Sequence, residues 1–179
     1  MIGTDFTGNT YPGAQVPFGM VQLSPDNGLP GWDRISGYFY PDTTIAGFSH
    51  THLSGTGAGD LYDISFMPVT RPYKEAPAPL GIYSTFSHND EAASAGYYRV
   101  LLKDYNINVE LTATERCGIQ RYTFPEAEAS VFLNLKKAMN WDFTLDSKIE
   151  VVDSTTDPWI PPIPRLVSLA ACLFRDPFL

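Results

Sequence analysis

The residues Ile107-Asn108-Val109-Glu110-Leu111-Thr112-Ala113-Thr114 alternate strictly between apolar and polar side chains. Because successive side chains of a β-strand point to opposite faces, this period of two predicts a strand with one buried and one solvated face. Segments 97–103, 119–124, 131–135 and 148–152 are apolar or β-prone and follow at strand-like spacing. No amphipathic helix is predicted between them, so the pattern favours an all-β domain.

The N-terminal third is rich in Gly, Pro, Ser, Thr, Asp and aromatic residues, with short apolar stretches at 20–23 and 44–48. This composition predicts short strands joined by long loops. Pro72, Pro77 and Pro79 exclude a regular helix and predict a surface connection that ends in a strand at 81–86. Two packed antiparallel sheets explain the pattern more simply than a barrel, although the period does not separate these architectures. We predict one such domain over residues 1–156.

The C-terminal residues 157–179 have a different character. Segment 157–164 is dense in proline, and segment 166–174 is apolar without alternation. Three interpretations of the apolar run stay open: a buried strand, a short helix or non-native sequence. We predict that 157–179 is a divergent tail, produced by a truncated or frame-shifted reading of a longer gene.

Charge and hydropathy narrow the possible partners. A formal net charge of -8 argues against binding to nucleic acid or to an anionic membrane, both of which require clustered Lys and Arg. No apolar run approaches the roughly 18–20 residues that span a bilayer. Residues 1–5 have neither the basic nor the apolar region of a signal peptide, so no export signal is predicted. Cys117 and Cys172 are the two cysteines, and their redox state stays open.

His50 and His52 lie two residues apart in a Ser-His-Thr-His-Leu-Ser-Gly segment. On a strand, residues at i and i+2 share a face, which would let both rings bind one metal, with Asp60 or Asp63 as a third ligand. A small zinc-dependent hydrolase is therefore one hypothesis. The interpretation we favour is structural: the rings hydrogen-bond to loop backbone and hold a glycine-rich turn in place.

Trp32 and Asp33 begin an aromatic-rich segment that runs to Tyr40. Sugar sites use an indole in this way, because the apolar face of a pyranose stacks on it while polar neighbours bind the hydroxyls. Core packing of the tryptophan is the alternative. No spacing nominates a carboxylate pair for glycoside hydrolysis. The acids of the N-terminal part are scattered and are expected to be solvated or turn-forming: Asp5, Asp26, Asp33, Asp42, Asp60 and Asp63.

Four motifs in one order carry a resemblance to a known family. They are Gly-Asn-Thr-Tyr-Pro-Gly-Ala at 8–14, Val-Pro-Phe-Gly-Met-Val-Gln-Leu-Ser-Pro-Asp at 16–26, Ser-Gly-Tyr at 36–38 and Gly-Phe-Ser-His-Thr-His-Leu-Ser-Gly-Thr-Gly at 47–57. The chain thereby resembles the N-terminal domain of glycoside hydrolase family 92. The resemblance implies an antiparallel β-sandwich with long loops, of the supersandwich or galactose mutarotase-like type. It also implies an exo-acting, inverting, calcium-dependent α-mannosidase, often α-1,2-specific, that is periplasmic or secreted.

In that family the sandwich precedes a C-terminal (α/α)₆ barrel, and the active site lies between the two domains. The resemblance places the catalytic carboxylates and most calcium ligands in the barrel, so no catalytic residue and no metal ligand is assigned to this chain. It implies that Trp32, Asp33, His50 and His52 belong to the substrate-binding region for a mannose-containing glycan, with the histidines structural before catalytic. Asn9 departs from the family, which commonly has His there. The alternative function is a stand-alone carbohydrate-binding module.

Overall fold

The computed structural model describes residues 1–55, 61–70, 74, 81–125 and 128–135, and it describes the backbone of 166–172. Within these ranges the chain forms β-strands and two short 3₁₀ helices, without an α-helix. The strands are β1 (Ala14–Gln15), β2 (Gln22–Asp26), β3 (Thr44–Ile45), β4 (Gly47–Ser49), β5 (Ser65–Thr70), β6 (Ser84–Thr85), β7 (Glu91–Ser94), β8 (Tyr97–Leu102), β9 (Ile107–Ala113), β10 (Cys117–Thr123), β11 (Ala129–Asn134) and β12 (Leu166–Cys172). The 3₁₀ helices span Trp32–Arg34 and His88–Asp90.

Two five-stranded sheets make up the domain. The first has the order β1-β2-β4-β5-β11, the second has the order β12-β10-β9-β8-β7, and β3 and β6 form a separate ribbon. All of these strand pairs are antiparallel. The two sheets contribute to one hydrophobic cluster, whose members include Leu23, Phe48, Met67, Val69, Val100, Val109, Leu111 and Tyr122. This confirms the predicted all-β, sandwich-like fold.

Strand β9, at the middle of the second sheet, shows why the alternation identified the fold. Its residues Ile107, Val109, Leu111 and Ala113 are buried, whereas Asn108 and Thr112 are exposed. Strands β8 and β10 flank β9 and repeat the pattern, each with one face toward the core. The second sheet therefore presents a polar outer face to solvent.

The N-terminal strands are short and are joined by long loops, as the composition predicts. The apolar stretch at 44–48 contributes to two strands, because Ala46 separates β3 from β4 and the two strands pair with different partners. The strand expected at 81–86 is present as β6. Of the proline-rich connection before it, only Lys74 lies among the described residues.

The structure excludes one of the alternatives that the sequence leaves open for the apolar run near the C-terminus. Residues 166–172 form β12, which pairs antiparallel with β10, so the helical alternative for this run is wrong. The register places Cys172 directly opposite Cys117, and Cys117 is disulfide-bonded. The strand expected at 148–152 lies outside the described residues, as do 157–165 and 173–179. The frame-shifted origin of the tail stays a prediction.

Candidate functional site

A buried polar cluster lies on the antiparallel pair of β2 and β4, in which Ser49 is opposite Ser24 and Asp26 is opposite Gly47. Asp26 is the last residue of β2 and Ser49 the last of β4, and both are fully buried. The Ser49 hydroxyl donates to Asp26 Oδ1 at 3.0 Å, and His52 Nε2 lies 2.8 Å from the same oxygen. The cluster therefore centres on one carboxylate oxygen. The expectation that Asp26 is a solvated loop acid is wrong, because the pairing of the two strands carries it into the interior.

Both ring nitrogens of His52 have hydrogen-bond partners. Nδ1 lies 2.7 Å from the carbonyl oxygen of Gln22, which can only accept, so Nδ1 carries a hydrogen. Nε2 lies 2.8 Å from the carboxylate oxygen Oδ1 of Asp26. In a nucleophilic triad the imidazole lies between serine and carboxylate. Here the Ser49 hydroxyl lies 3.2 Å from His52 Nε2 but also donates directly to Asp26 at 3.0 Å, so the imidazole does not separate serine from carboxylate. The three groups form a closed set of contacts that holds the loop together.

The remaining motifs supply the walls of this cluster. The rings of Tyr11 and Tyr62 lie 5.2 and 5.5 Å from that of His52, centroid to centroid. Gly37 has φ +86°, and a Cβ there would lie 2.8–2.9 Å from Tyr62, Asp26 Oδ1 and His52. Only glycine suits that position, for both backbone and space. All four motifs that carry the family resemblance thus meet at one imidazole, although they are separated along the chain.

His50 occupies a different environment. Its Nδ1 lies 2.9 Å from the carbonyl oxygen of Ile64, and its ring packs against Gly118 of β10, where a Cβ would come within 2.7 Å. Burial lowers the pKa of His50, so the ring is neutral, with its hydrogen on Nδ1. Nε2 is buried and has no hydrogen-bond partner within the described part of the chain.

These contacts decide between the two interpretations of the His-x-His motif. Strand β4 ends at Ser49, so the expectation that both rings project from one face of a strand is wrong. Each histidine instead bonds a backbone carbonyl oxygen, that of Ile64 for His50 and that of Gln22 for His52. Ile64 lies in a loop, as the structural interpretation predicts, whereas Gln22 is the first residue of β2. Asp63 exchanges hydrogen bonds with Thr51, and Asp60 lies outside the described residues. No group of three or more His, Cys, Asp or Glu side chains suited to a metal occurs among the described residues.

An open cleft of about 410 Å³ adjoins the cluster. Its lining includes His52, Tyr11, Ser54, Gln22 and Phe18. Phe18 is fully exposed and has φ +59°, a conformation that a bulky residue rarely adopts without a constraint. The cleft therefore combines polar groups with an aromatic ring held out toward solvent.

Trp32 and Asp33 lie in the 3₁₀ helix Trp32–Arg34 and are not among the residues that line this cleft. Trp32 is 54% exposed, so the core-packing alternative for its indole is wrong. Arg34 bonds Asp42 through Nε at 2.6 Å and Nη2 at 2.5 Å. This bidentate ion pair fixes the loop that presents the indole. The structure thus brings His52 to a cleft and Trp32 to an exposed surface, as two separate features.

Sequence reasoning missed Asp26, Ser49 and Tyr62 as parts of the site. The available signal was Ser-Pro-Asp at the end of an apolar run, which places a carboxylate at the edge of a core strand. Asn9, which departs from the family motif, is also buried, and its Oδ1 has no hydrogen-bond partner within the described ranges. No helix among the described residues is long and apolar enough to cross a membrane.

Comparison with known proteins agrees with the motifs. The family model described as the glycosyl hydrolase family 92 N-terminal domain matches residues 1–157. The solved structure of the family GH92 α-mannosidase BT3965 from Bacteroides thetaiotaomicron, in complex with mannoimidazole, is 44% identical, with a TM-score of 0.72, and covers 77% of this chain and 19% of that one. The GH92 family glycosyl hydrolase ccman5 is 31% identical, with a TM-score of 0.64, and covers 76% of this chain and 20% of that one.

A curated relative points the same way. An uncharacterized secreted glycosidase of Arthroderma benhamiae is 27% identical over 139 residues, which are 72% of this chain and 17% of that protein. The chain thus spans about a fifth or less of the length of these relatives.

Proposed function

Since the chain belongs to glycoside hydrolase family 92, we propose that it is the N-terminal, substrate-binding and assembly part of an exo-acting, inverting α-mannosidase that cleaves α-1,2-mannosides. The observation that carries this proposal is the meeting of all four family motifs at the Asp26, Ser49 and His52 cluster beside an open cleft. A relative with 44% identity was solved with mannoimidazole, and another is described as an inverting mannosidase.

The proposed partner is a C-terminal (α/α)₆ barrel that supplies the general acid and the base. In this proposal these two carboxylates protonate the leaving oxygen and activate water. Phe18 and Leu53 are exposed apolar side chains that line the cleft. Met20 is also exposed and directly follows Gly19, another lining residue. Exposed apolar patches mark interaction surfaces, so we assign this side of the domain to contact with the barrel.

The proposed sugar contact is the indole of Trp32, with Asp33 beside it. The ion pair between Arg34 and Asp42 holds their short helix in place, and the guanidinium of Arg34 lies 4.8 Å from the centre of the Phe39 ring. A rigid, exposed aromatic ring suits stacking on a mannose unit. We propose that His50 and His52 hold the loops of the substrate-binding region in place. Of the two, His52 also lines the cleft.

Calcium is implied by the family, and the described residues do not fit it. Ca²⁺ takes six to eight oxygen ligands. Here Asp26 bonds His52 and Ser49, and Asp42 bonds Arg34. We therefore assign the calcium ligands to the barrel and derive no step through the ion.

We propose that the whole enzyme is exported to the periplasm or secreted. The secreted relative and the disulfide at Cys117 support this, because disulfides persist in oxidising compartments.

The test is a chimera in which residues 1–157 replace the matching region of BT3965, assayed with α-1,2-mannobiose. The chimera should hydrolyse the substrate, and Trp32→Ala should lower kcat/KM at least about tenfold, or about 1.4 kcal/mol. Phe132→Ala, an exposed aromatic on β11, is the matched control and should leave kcat/KM unchanged. An active chimera that is equally insensitive to both substitutions would refute the role of Trp32. Calorimetry that detects mannobiose binding by this chain without a barrel would instead favour a stand-alone carbohydrate-binding module.

A further inference from the structure

The outer face of the second sheet carries a cavity whose lining contains no residue of the histidine cluster. Alternation along β8, β9 and β10 turns Val100, Val109 and Tyr122 into the core and their neighbours outward. The cavity measures about 240 Å³ and is lined by Arg99, Asn108, Val109, Glu110 and Thr123. Since the cluster at Asp26 belongs to the first sheet, the two features lie on different layers of the sandwich.

Glu110 is already bonded by two neighbours. Arg121 donates to it through Nε at 2.6 Å and Nη2 at 2.5 Å, and the Tyr97 hydroxyl donates at 2.7 Å. Burial raises the pKa of Glu110, but the bonds from Arg121 and Tyr97 outweigh it, and the pKa is lowered overall. The carboxylate is therefore charged and engaged with one guanidinium.

Arg99 stands directly opposite Glu110 in the register, and its positive charge helps to lower the pKa of Glu110. Within the described residues its guanidinium makes no hydrogen bond and no ion pair at contact distance. The side chains of Asn108 and Thr123 likewise make none in the part of the chain that the structure describes. Two guanidinium groups and one carboxylate leave this face with one excess positive charge in a chain of net charge -8. The cavity thus offers one cation, one amide and one hydroxyl for a ligand.

These three groups define the ligand. A guanidinium binds carboxylates through two parallel hydrogen bonds, whereas an amide and a hydroxyl bind neutral hydroxyl groups. Pockets for drug-sized ligands begin at about 300 Å³, so this smaller cavity suits a single ring. We propose that the cavity binds one acidic sugar unit of a glycan, with its carboxylate on Arg99 and its hydroxyls on Asn108 and Thr123. The site is independent of the mannoside function proposed above.

The test titrates the chain with D-glucuronate and follows its backbone amides by NMR. D-glucose at the same concentration is the neutral control, and inorganic phosphate is the control for a bare anion. Glucuronate should shift the amides around residues 99, 108–110 and 123, and glucose should not. Arg99→Gln should weaken binding at least about tenfold, as expected when a charge-assisted, bidentate contact is lost.

Arg116→Gln is the matched control, because Arg116 is also exposed but lies in the turn between β9 and β10. It should leave binding unchanged. Thr123→Val should weaken the binding of glucuronate and not that of phosphate. The proposal is overturned if glucuronate does not bind, if Arg99→Gln and Arg116→Gln behave alike, or if phosphate binds as tightly as glucuronate and Thr123→Val has no effect.

Discussion

Replacing His52 by Leu should destabilise the domain strongly. The imidazole is fully buried, lies 2.8 Å from the buried carboxylate of Asp26, and bonds the Gln22 carbonyl at 2.7 Å. Removing one partner of a buried, hydrogen-bonded charge pair costs about 3–5 kcal/mol, because the other charge stays in the interior without that partner. We therefore expect a loss of about this size.

Urea unfolding followed by circular dichroism measures this loss. With a slope of about 2 kcal/mol per molar urea, the midpoint should fall by roughly 2 M at an unchanged slope. Asp26→Asn provides the matched background, since the amide fills the same space without a charge. In that background His52→Leu should cost less, with a coupling energy of at least about 2 kcal/mol.

Two results would refute this reasoning. If His52→Leu lowered the free energy of unfolding by less than about 1 kcal/mol, the His52–Asp26 pair would contribute no more than a solvent-exposed ion pair. An equal cost in both backgrounds would show that His52 acts through packing against Tyr11 and Tyr62 and not through Asp26.

Three further predictions concern the interior. Gly118→Ala should cost about 1–3 kcal/mol in urea unfolding, because its Cβ would meet the His50 ring, and His50→Ala should relieve part of that cost. Burial lowers the pKa of His50, so the contribution of the neutral ring to stability is present above about pH 6.5 and is lost as pH falls through the folded-state pKa. The free energy of unfolding of His50→Gln should therefore depend less on pH in that range than that of the unchanged protein. The side chain of Glu91 is fully buried and accepts a hydrogen bond from the Tyr98 hydroxyl at 2.6 Å. Glu91→Gln should cost about 3 kcal/mol and therefore lower Tm by roughly 6–12 °C. The control Glu115→Gln changes an exposed residue and should leave Tm unchanged.

The second sheet was predictable because its signal is local. In β9 each side chain reports its own face, so Ile107 to Ala113 reveals the burial pattern without knowledge of any partner. Residues 44–48 are as apolar, yet the chain divides them between β3 and β4. That division depends on pairing with Ser84–Thr85 and with Ser24–Asp26, which are distant in sequence. Periodicity contains no information on such partners.

The candidate site was predictable only through the family motifs. Trp32 and the two histidines could be nominated from residue type, because indole and imidazole have recognisable chemistry. Asp26 could not, since its burial follows from the register of β2 with β4, and its partners Ser49 and His52 are 23 and 26 residues away. The one local signal, Ser-Pro-Asp at the end of an apolar run, does not reveal these partners.

The His-x-His motif shows why spacing alone decided so little. Two residues apart means the same face only while the chain stays extended as a strand, and β4 ends at Ser49, before either histidine. Beyond that point each ring is placed by what surrounds it. Gly37, in a loop, leaves room for the ring of His52, and Gly118, in β10, leaves room for the ring of His50. A metal site needs free ring nitrogens that converge, whereas here both Nδ1 atoms bond backbone carbonyl oxygens. The structural role of the His-x-His motif therefore follows from the partners of its ring nitrogens, and not from the two-residue spacing of the histidines.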